Sequence, residues 1–214
     1  MDRIRIRLAP RRLAAAVACA AVVTAACSVA GASAGLLGGG GLTPSCSENY
    51  STPFARWYDY ANYVSVPDGG FEGGGVGWKF TGGATVVAGN EPFYVARAND
   101  AKSLALGVDA AATSKPLCFG AGYPDFRFFS VATGGAPVIR VQVIYNGLLG
   151  VVGVLDGGAV VPGRSWSPTS SESLLLGNVV AIAPLGTTSV SLKFTVSGGT
   201  ARIDDVFVDP VKEV

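Results

Sequence analysis

Apolar and polar side chains alternate through much of the C-terminal part of this 214-residue chain. In Val190-Ser191-Leu192-Lys193-Phe194-Thr195-Val196 the alternation is strict, the mark of a strand with one buried face. Ile139, Val141, Val143 and Tyr145 likewise share a side, with Arg140 and Gln142 on the other. Strand signals recur beyond Gly70 in WKFTG, ATVVAG, SLALG, FRFFSV, PVIRVQVIYNG, LLGVVGVLDGG, NVVAIAPLG, TSVSLKFTVSGG and ARIDDVFVD. Glycines, prolines, Asn146-Gly147 and Asp156-Gly157-Gly158 separate them and supply the positive-φ positions that tight connections need. Past the N-terminal leader no segment has a helical period, apart from a short turn around Pro53 to Ala61. Regularly spaced strands without helices predict an all-β fold, a sandwich or barrel.

Two stretches depart from simple alternation. In ARIDDVFVD, Ile203 and Val206 are out of phase for a period-two strand. Either both faces are covered, or a bulge falls at Asp204-Asp205. At least one of these carboxylates should then point inward, where it needs a cation or hydrogen bonds, because an unpaired buried charge is expensive. The alternative is a solvated surface pair with Asp204 near Arg202. The second stretch, VPDGGFEGGGVGWKF at Val66–Phe80, has the glycine content of a phosphate cradle but not its pattern. Lys79 follows Trp78 inside a strand signal and no helix comes after it, so neither a P-loop nor a dinucleotide fingerprint is present. The stretch reads as a strand entry, with Phe71 entering the core and glycines letting the backbone turn sharply.

Composition adds the compartment. Arg3, Arg5, Arg7, Arg11 and Arg12 precede an Ala/Val-rich run from Leu13 to Ala34 that ends in Ala32-Ser33-Ala34, the form of a secretory signal peptide over residues 1–34. A lipoprotein anchored through Cys27 is the alternative. Of the chain's 16 basic and 15 acidic residues, 11 and 14 lie beyond residue 34, a net charge of −3. That balance, with the cations scattered singly, argues against nucleic acid as a partner. No second hydrophobic span follows, so a cleaved product is expected to be secreted and without a membrane span. Residues 35–45 form a Gly-rich tether, and residues 46–65 an aromatic segment that wraps onto a β-sandwich domain at 66–210, followed by a tail at 211–214. Beyond the leader only Cys46 and Cys118 remain, and in an oxidising compartment they are expected to pair. Such a bridge across 72 positions is worth roughly 4–5 kcal/mol in the chain-entropy picture.

GGFEGGGVGW at Gly69–Trp78, SLALG at Ser103–Gly107 and ARIDDVFVD at Ala201–Asp209 together resemble the galactose-binding-like jelly rolls of carbohydrate-binding modules. FARWYDYANYVSVPDGGFE, PLCFG and FRFFS are also similar to a group of secreted actinobacterial proteins. The jelly-roll resemblance covers roughly residues 65–210 and implies an antiparallel jelly-roll β-sandwich. It further implies that the Phe-Glu motif lies beside the twin aspartates, and that Glu72 with Asp205 or Asp204 holds a structural calcium ion, backbone oxygens completing the shell.

Sugar-binding faces use exposed aromatic rings as platforms. Trp57, Tyr58 and Trp166 are the candidates here, whereas Trp78, after Gly77 in the motif, is expected in the core. The chain has no histidine, which excludes Ser-His-Asp and Cys-His nucleophile systems and His-based zinc sites. Adjacent strand residues point to opposite faces, so Asp204 and Asp205 cannot flank one glycosidic bond in a regular strand. Together with the leader, the jelly-roll resemblance implies a secreted, non-catalytic binding module for carbohydrate or cell-envelope glycan, with a structural calcium site. The alternative is a structural or adhesive extracellular protein without a small ligand.

Overall fold

Two 23-residue strands, β6 (Asp125–Gly147) and β9 (Thr187–Asp209), pair antiparallel from Asp125↔Asp209 to Gly147↔Thr187. They form a ribbon around which the rest of the chain is arranged. In the computed structural model the described residues are 49–117, 125–170 and 187–209. The leader, the tether, Cys27, Cys46, Cys118, the segment NVVAIAPLG and the tail lie outside them. Around the ribbon stand β1 (Val64–Ser65), β2 (Lys79–Thr81), β3 (Thr85–Ala88), β4 (Lys102–Leu106), β5 (Ala111–Thr113), β7 (Gly150–Val160) and β8 (Ser167–Pro168). A 3-10 turn at Ala55–Trp57 is the helical element among the described residues, and none there is long and apolar enough to cross a membrane.

The ribbon folds over on itself. Its Asp209 end carries β4 with β3 beyond it, and β1, on the β9 side, and β8 on the β6 side. Its other end carries β5 with β2 beyond it, and β7 on the opposite flank. The result is an all-β, antiparallel jelly-roll sandwich made from one curled sheet. The alternating residues do what their spacing predicts. Ile139, Val141, Val143 and Tyr145 of β6 and Val190, Leu192, Phe194 and Val196 of β9 are buried in one core with Leu104, Leu106, Phe126, Phe128 and Ile203. Phe71 and Trp78 join that core, their ring centroids 5.0 Å apart.

Two turn expectations are corrected. Thr133-Gly134-Gly135-Ala136 and Ser197-Gly198-Gly199-Thr200 do not end strands; they are the corners at which β6 and β9 bend together. Gly135 and Gly198 have φ of 67° and 73°, and a Cβ on Gly135 would stand 2.9 Å from the Gly198 carbonyl oxygen. Glycine is needed here because two backbones touch, not because either reverses. Asp156-Gly157-Gly158 is likewise no connection. It lies inside β7, where the register slips between Arg140↔Ala159 and Gln142↔Asp156, and Gly158 N–H donates to Asp156 Oδ1 at 3.1 Å. The reversal occurs at the Asn146-Gly147 hairpin instead, whose tip exposes Leu148 and Leu149.

The ribbon's Asp209 half is covered on both faces. Phe128 and Val206 enter the main core, while Phe129 and Phe207 enter a second cluster with Phe54 and Tyr63 from the N-terminal segment. Asp59 pins that segment down: its carboxylate accepts from Tyr63 Oη at 2.9 Å and pairs with the buried Arg127 guanidinium. Burial raises the Asp59 carboxyl, but hydrogen bonds from Ala61 N–H, Tyr63 and Arg127, with the Arg127 charge, outweigh it and leave the group below its ordinary value.

The ribbon corner should tolerate a new methyl group poorly. Gly199→Ala would drive a Cβ into the Gly134 carbonyl and the backbone nitrogens of Pro137 and Ala136, and should cost about 1–3 kcal/mol in urea unfolding. Gly107→Ala, where the added carbon meets nothing within 4 Å, should be close to neutral.

Candidate functional sites

The glycine-rich stretch is organised by its own aspartate. Asp68, at φ 51°, accepts from Gly73 N–H at 2.8 Å with one oxygen, and from Gly75 and Val76 N–H at 2.6 and 2.7 Å with the other. The amides that a phosphate would need are therefore occupied from within. At its start the stretch is sewn to β9: Val66 N–H donates to Val206 O at 2.9 Å, and Val206 N–H donates to Gly69 O at 3.2 Å. A Cβ on Gly69 would stand 2.6 Å from that Val206 oxygen. The Phe-Glu motif and the Asp-Asp motif are neighbours.

At this seam β9 bulges. Arg127 pairs with Phe207 and Phe129 with Asp204, so Phe128 faces two residues, Asp205 and Val206. Asp205 takes φ 47°. The extra residue lets Ile203 and Val206 both reach the main core, which resolves their phase mismatch. It also buries both aspartates, at 0% and 1% exposure, so the solvated pair beside Arg202 is not formed. Arg202 turns instead to the Ser103 hydroxyl and the Ala88 and Gly89 carbonyls, over the Trp166 ring.

The two aspartates have different surroundings. Asp204 accepts from Glu91 N–H at 3.0 Å and Asp205 N–H at 2.9 Å, a clamp on the loop after β3. Both oxygens of Asp205 are buried and make no hydrogen bond of good geometry, although the Glu91 carboxyl and the Ala96 N–H act on the group from nearby. A Cβ on Gly70 would meet Asp205 Oδ1 at 2.8 Å and Asp100 Oδ2 at 4.0 Å, so the missing side chain leaves room at the mouth of these carboxylates. Glu72 is close by but engaged: its Oε1 accepts from Ala101 and Lys102 N–H, each at 2.7 Å. Burial, then the neighbouring Asp205 charge, pushes the Asp204 carboxyl up to about 9. Burial, then the charges of Glu91 and Asp100, pushes Asp205 up to about 7. Among the described residues no group of three or more Asp, Glu, Cys or His side chains is placed to hold a metal ion. A cation here would take the Asp205 oxygens first, with Asp100 beside them. Glu91 and Asp100 were not singled out in the sequence. Each is one acidic residue in a polar loop, and only folding turns it inward.

The aromatic candidates gather on the second cluster, outside the sandwich. Trp57 is half-buried, its ring 5.0 Å from Phe93 and 5.3 Å from Phe129, both edge-on. Trp166 is half-buried on the same cluster. Tyr58 is 87% exposed and sits at φ 62°, capping the 3-10 turn with its N–H on Ala55 O at 3.0 Å. Tyr94, unforeseen in the sequence, mirrors it from the other loop at φ 54° and 50% exposure. Its turn is wrapped around the buried Glu91 carboxylate, which accepts from Phe93 and Val95 N–H. The touching pair Trp57–Phe93 is thus flanked in sequence by two outward tyrosines, both held in a left-handed backbone that side-chain-bearing residues rarely adopt. An open groove of about 560 Å³ elsewhere, lined by Phe80, Thr85, Val86 and Lys102 among others, contains no tyrosine or tryptophan.

No family model and no curated protein matches this chain. Solved structures with a similar backbone path exist. The enzymatically active domain of bacteriophage CBA120 tailspike protein 4 matches at 19% identity and TM-score 0.48, over 69% of this chain and 21% of that one, so the chain spans about a fifth of the tailspike's length. The TmCBM61 module, solved with β-1,4-galactotriose, matches at 17% identity and TM-score 0.44, over 69% and 99%. The CBM22-1 xylan-binding domain of Paenibacillus barcinonensis Xyn10C matches at 16% and 0.46, over 71% and 95%.

The buried carboxylates set the pH response. Both folded-state values lie above the unfolded value near 3.8, so the folded protein binds more protons between them. Stability is then fully present below about pH 4 and falls as pH rises through 7 and towards 9. In metal-free buffer the melting temperature should drop steadily from pH 5 to pH 9. Asp205→Asn should flatten that slope.

Proposed function

We propose that this protein is an exported, non-catalytic module that binds carbohydrate through the surface built on Trp57, Tyr58 and Tyr94. One observation carries the reading: the two exposed tyrosines hold strained backbone although neither ring is needed for the core. Tyr58 occupies the helix-end position where glycine is the usual choice. A large ring kept there at a cost in backbone energy is best explained by contact with a ligand, and a flat, half-wet aromatic surface suits the apolar face of a pyranose ring. Trp57 and Trp166 act as the base and flank of this surface. Replacing Tyr58 by Gly should leave stability unchanged or raise it by up to about 1 kcal/mol, while weakening polysaccharide binding about tenfold or more. Affinity electrophoresis beside thermal melts reads both. The apolar hairpin tip at Leu148-Leu149 favours a second reading, association through the β7 edge, which pairs only with β6 among the described residues. If no polysaccharide binds, and the chain instead self-associates in sedimentation unless Leu148 and Leu149 are made polar, that reading replaces the first.

The Asp205 pocket serves this surface by fixing the loop that bears Tyr94. Calcium suits it, since a hard cation takes carboxylate and carbonyl oxygens and would neutralise the buried Asp205 carboxylate. Asp205 and Asp100 would hold the ion, with Glu72 fixing the adjacent 100–102 backbone. Millimolar calcium at pH 8 should raise the melting temperature by several degrees and chelator should reverse it. Asp205→Asn should abolish the effect, and an unchanged melt in wild type would remove the calcium site.

A further inference from the structure

The ligand surface has a charge as well as rings. Two loops build it, residues 54–60 and 91–99, and their ionisable groups sort by sign. The carboxylates that belong to it or border it all turn inward. Asp59 pairs with Arg127, Glu91 is fully buried around the Phe93–Val95 turn, and Asp100 is buried. The cations turn outward: Arg56 and Arg97 are exposed, and neither makes an ion pair among the described residues. Arg56 is the better placed of the two. Its guanidinium carbon lies 5.2 Å from the Phe93 ring centroid and 5.9 Å from that of Trp57, at the centre of the tyrosine-flanked pair. Stacking on aromatic faces holds a guanidinium plane while its N–H edge stays open, and that edge matches a carboxylate in bidentate fashion. A chain whose exported part is net negative thus presents a cationic aromatic surface at one place.

Building on the carbohydrate reading, we infer that the preferred ligand is an acidic polysaccharide, one whose sugars carry carboxylates. The sugar ring rests against Tyr58 or Tyr94 and its carboxylate takes the Arg56 guanidinium, with Arg97 adding to the local field. Nucleic acid also combines anions with stackable rings. The observations favour the glycan because two arginines form no track along which a phosphate backbone could run.

The test uses matched pairs. Polygalacturonate, alginate and hyaluronan are each compared with the carboxyl-reduced polymer, in which a hydroxymethyl group replaces the carboxylate. At least one acidic form should bind about tenfold or more tightly than its reduced partner, and the advantage should shrink as salt is raised. Arg56→Gln should erase that advantage, bringing the acidic polymer down to the affinity of its reduced partner, and Tyr58→Gly should weaken both. Thermal melts confirm that each variant is folded. Equal binding of acidic and reduced forms, or binding confined to neutral polysaccharides, overturns the charge assignment and leaves the carbohydrate reading standing. No polysaccharide binding at all overturns both. Tighter binding of an oligothymidine than of any polyuronate, lost with Arg56→Gln, reassigns the surface to nucleic acid.

Discussion

The β6–β9 ribbon is the constraint from which the rest of the molecule follows. The two 23-residue strands stay paired, through several bulges, while they turn a corner, so each strand belongs to both layers of the sandwich. A sandwich whose layers share two continuous strands cannot slide one layer over the other. The cost is steric, and it falls where the backbones meet at Gly134-Gly135 and Gly198-Gly199. Because the ribbon also fixes what lies beside β9, it sets the position of every group in the two candidate sites.

The bulge at Asp205 is a consequence of that continuity. An extra residue in β9 turns Val206 back to the core and leaves Asp205 aimed at Gly70 and Asp100. The resulting carboxylates are desolvated and mutually repelling, so the pocket weakens the fold when ionised. Asp204 offsets part of this by clamping Glu91 N–H, and Glu91 in turn shapes the turn that exposes Tyr94. A chain of contacts therefore runs from the ribbon's bulge to the aromatic surface. Filling the pocket with a cation would stiffen the loop that exposes Tyr94.

The outer aromatic cluster has a second support. Arg127, on the opposite side of the ribbon from the main core, pairs with Asp59, donates to the Thr169 carbonyl and lies 4.2 Å from the Phe54 ring centroid. Removing Asp59 would take the carboxylate of this ion pair away from a buried guanidinium. The N-terminal segment is therefore held by an ion pair in an apolar setting as well as by Phe54 and Tyr63, and the 3-10 turn that bears Trp57 and Tyr58 grows from a fixed point.

Period-two alternation made the all-β class, the inward residues of β6 and β9 and the burial of Phe71 and Trp78 readable from the chain, because these depend on local spacing and a single buried face. The Phe-Glu and Asp-Asp motifs pointed to one seam, and the phase slip between Ile203 and Val206 pointed to a bulge or a doubly covered strand; the structure has both. What spacing could not decide was how glycine pairs are used. Gly134-Gly135 and Gly157-Gly158 look like turns, and only the long-range pairing of β6 made them a corner and a bulge. Nor could it decide which acidic residues turn inward or which aromatics stay outside. Glu91, Asp100, Tyr94 and Arg56 acquire their roles from neighbours tens of residues away, and burial and charge sorting exist only once those loops are packed together.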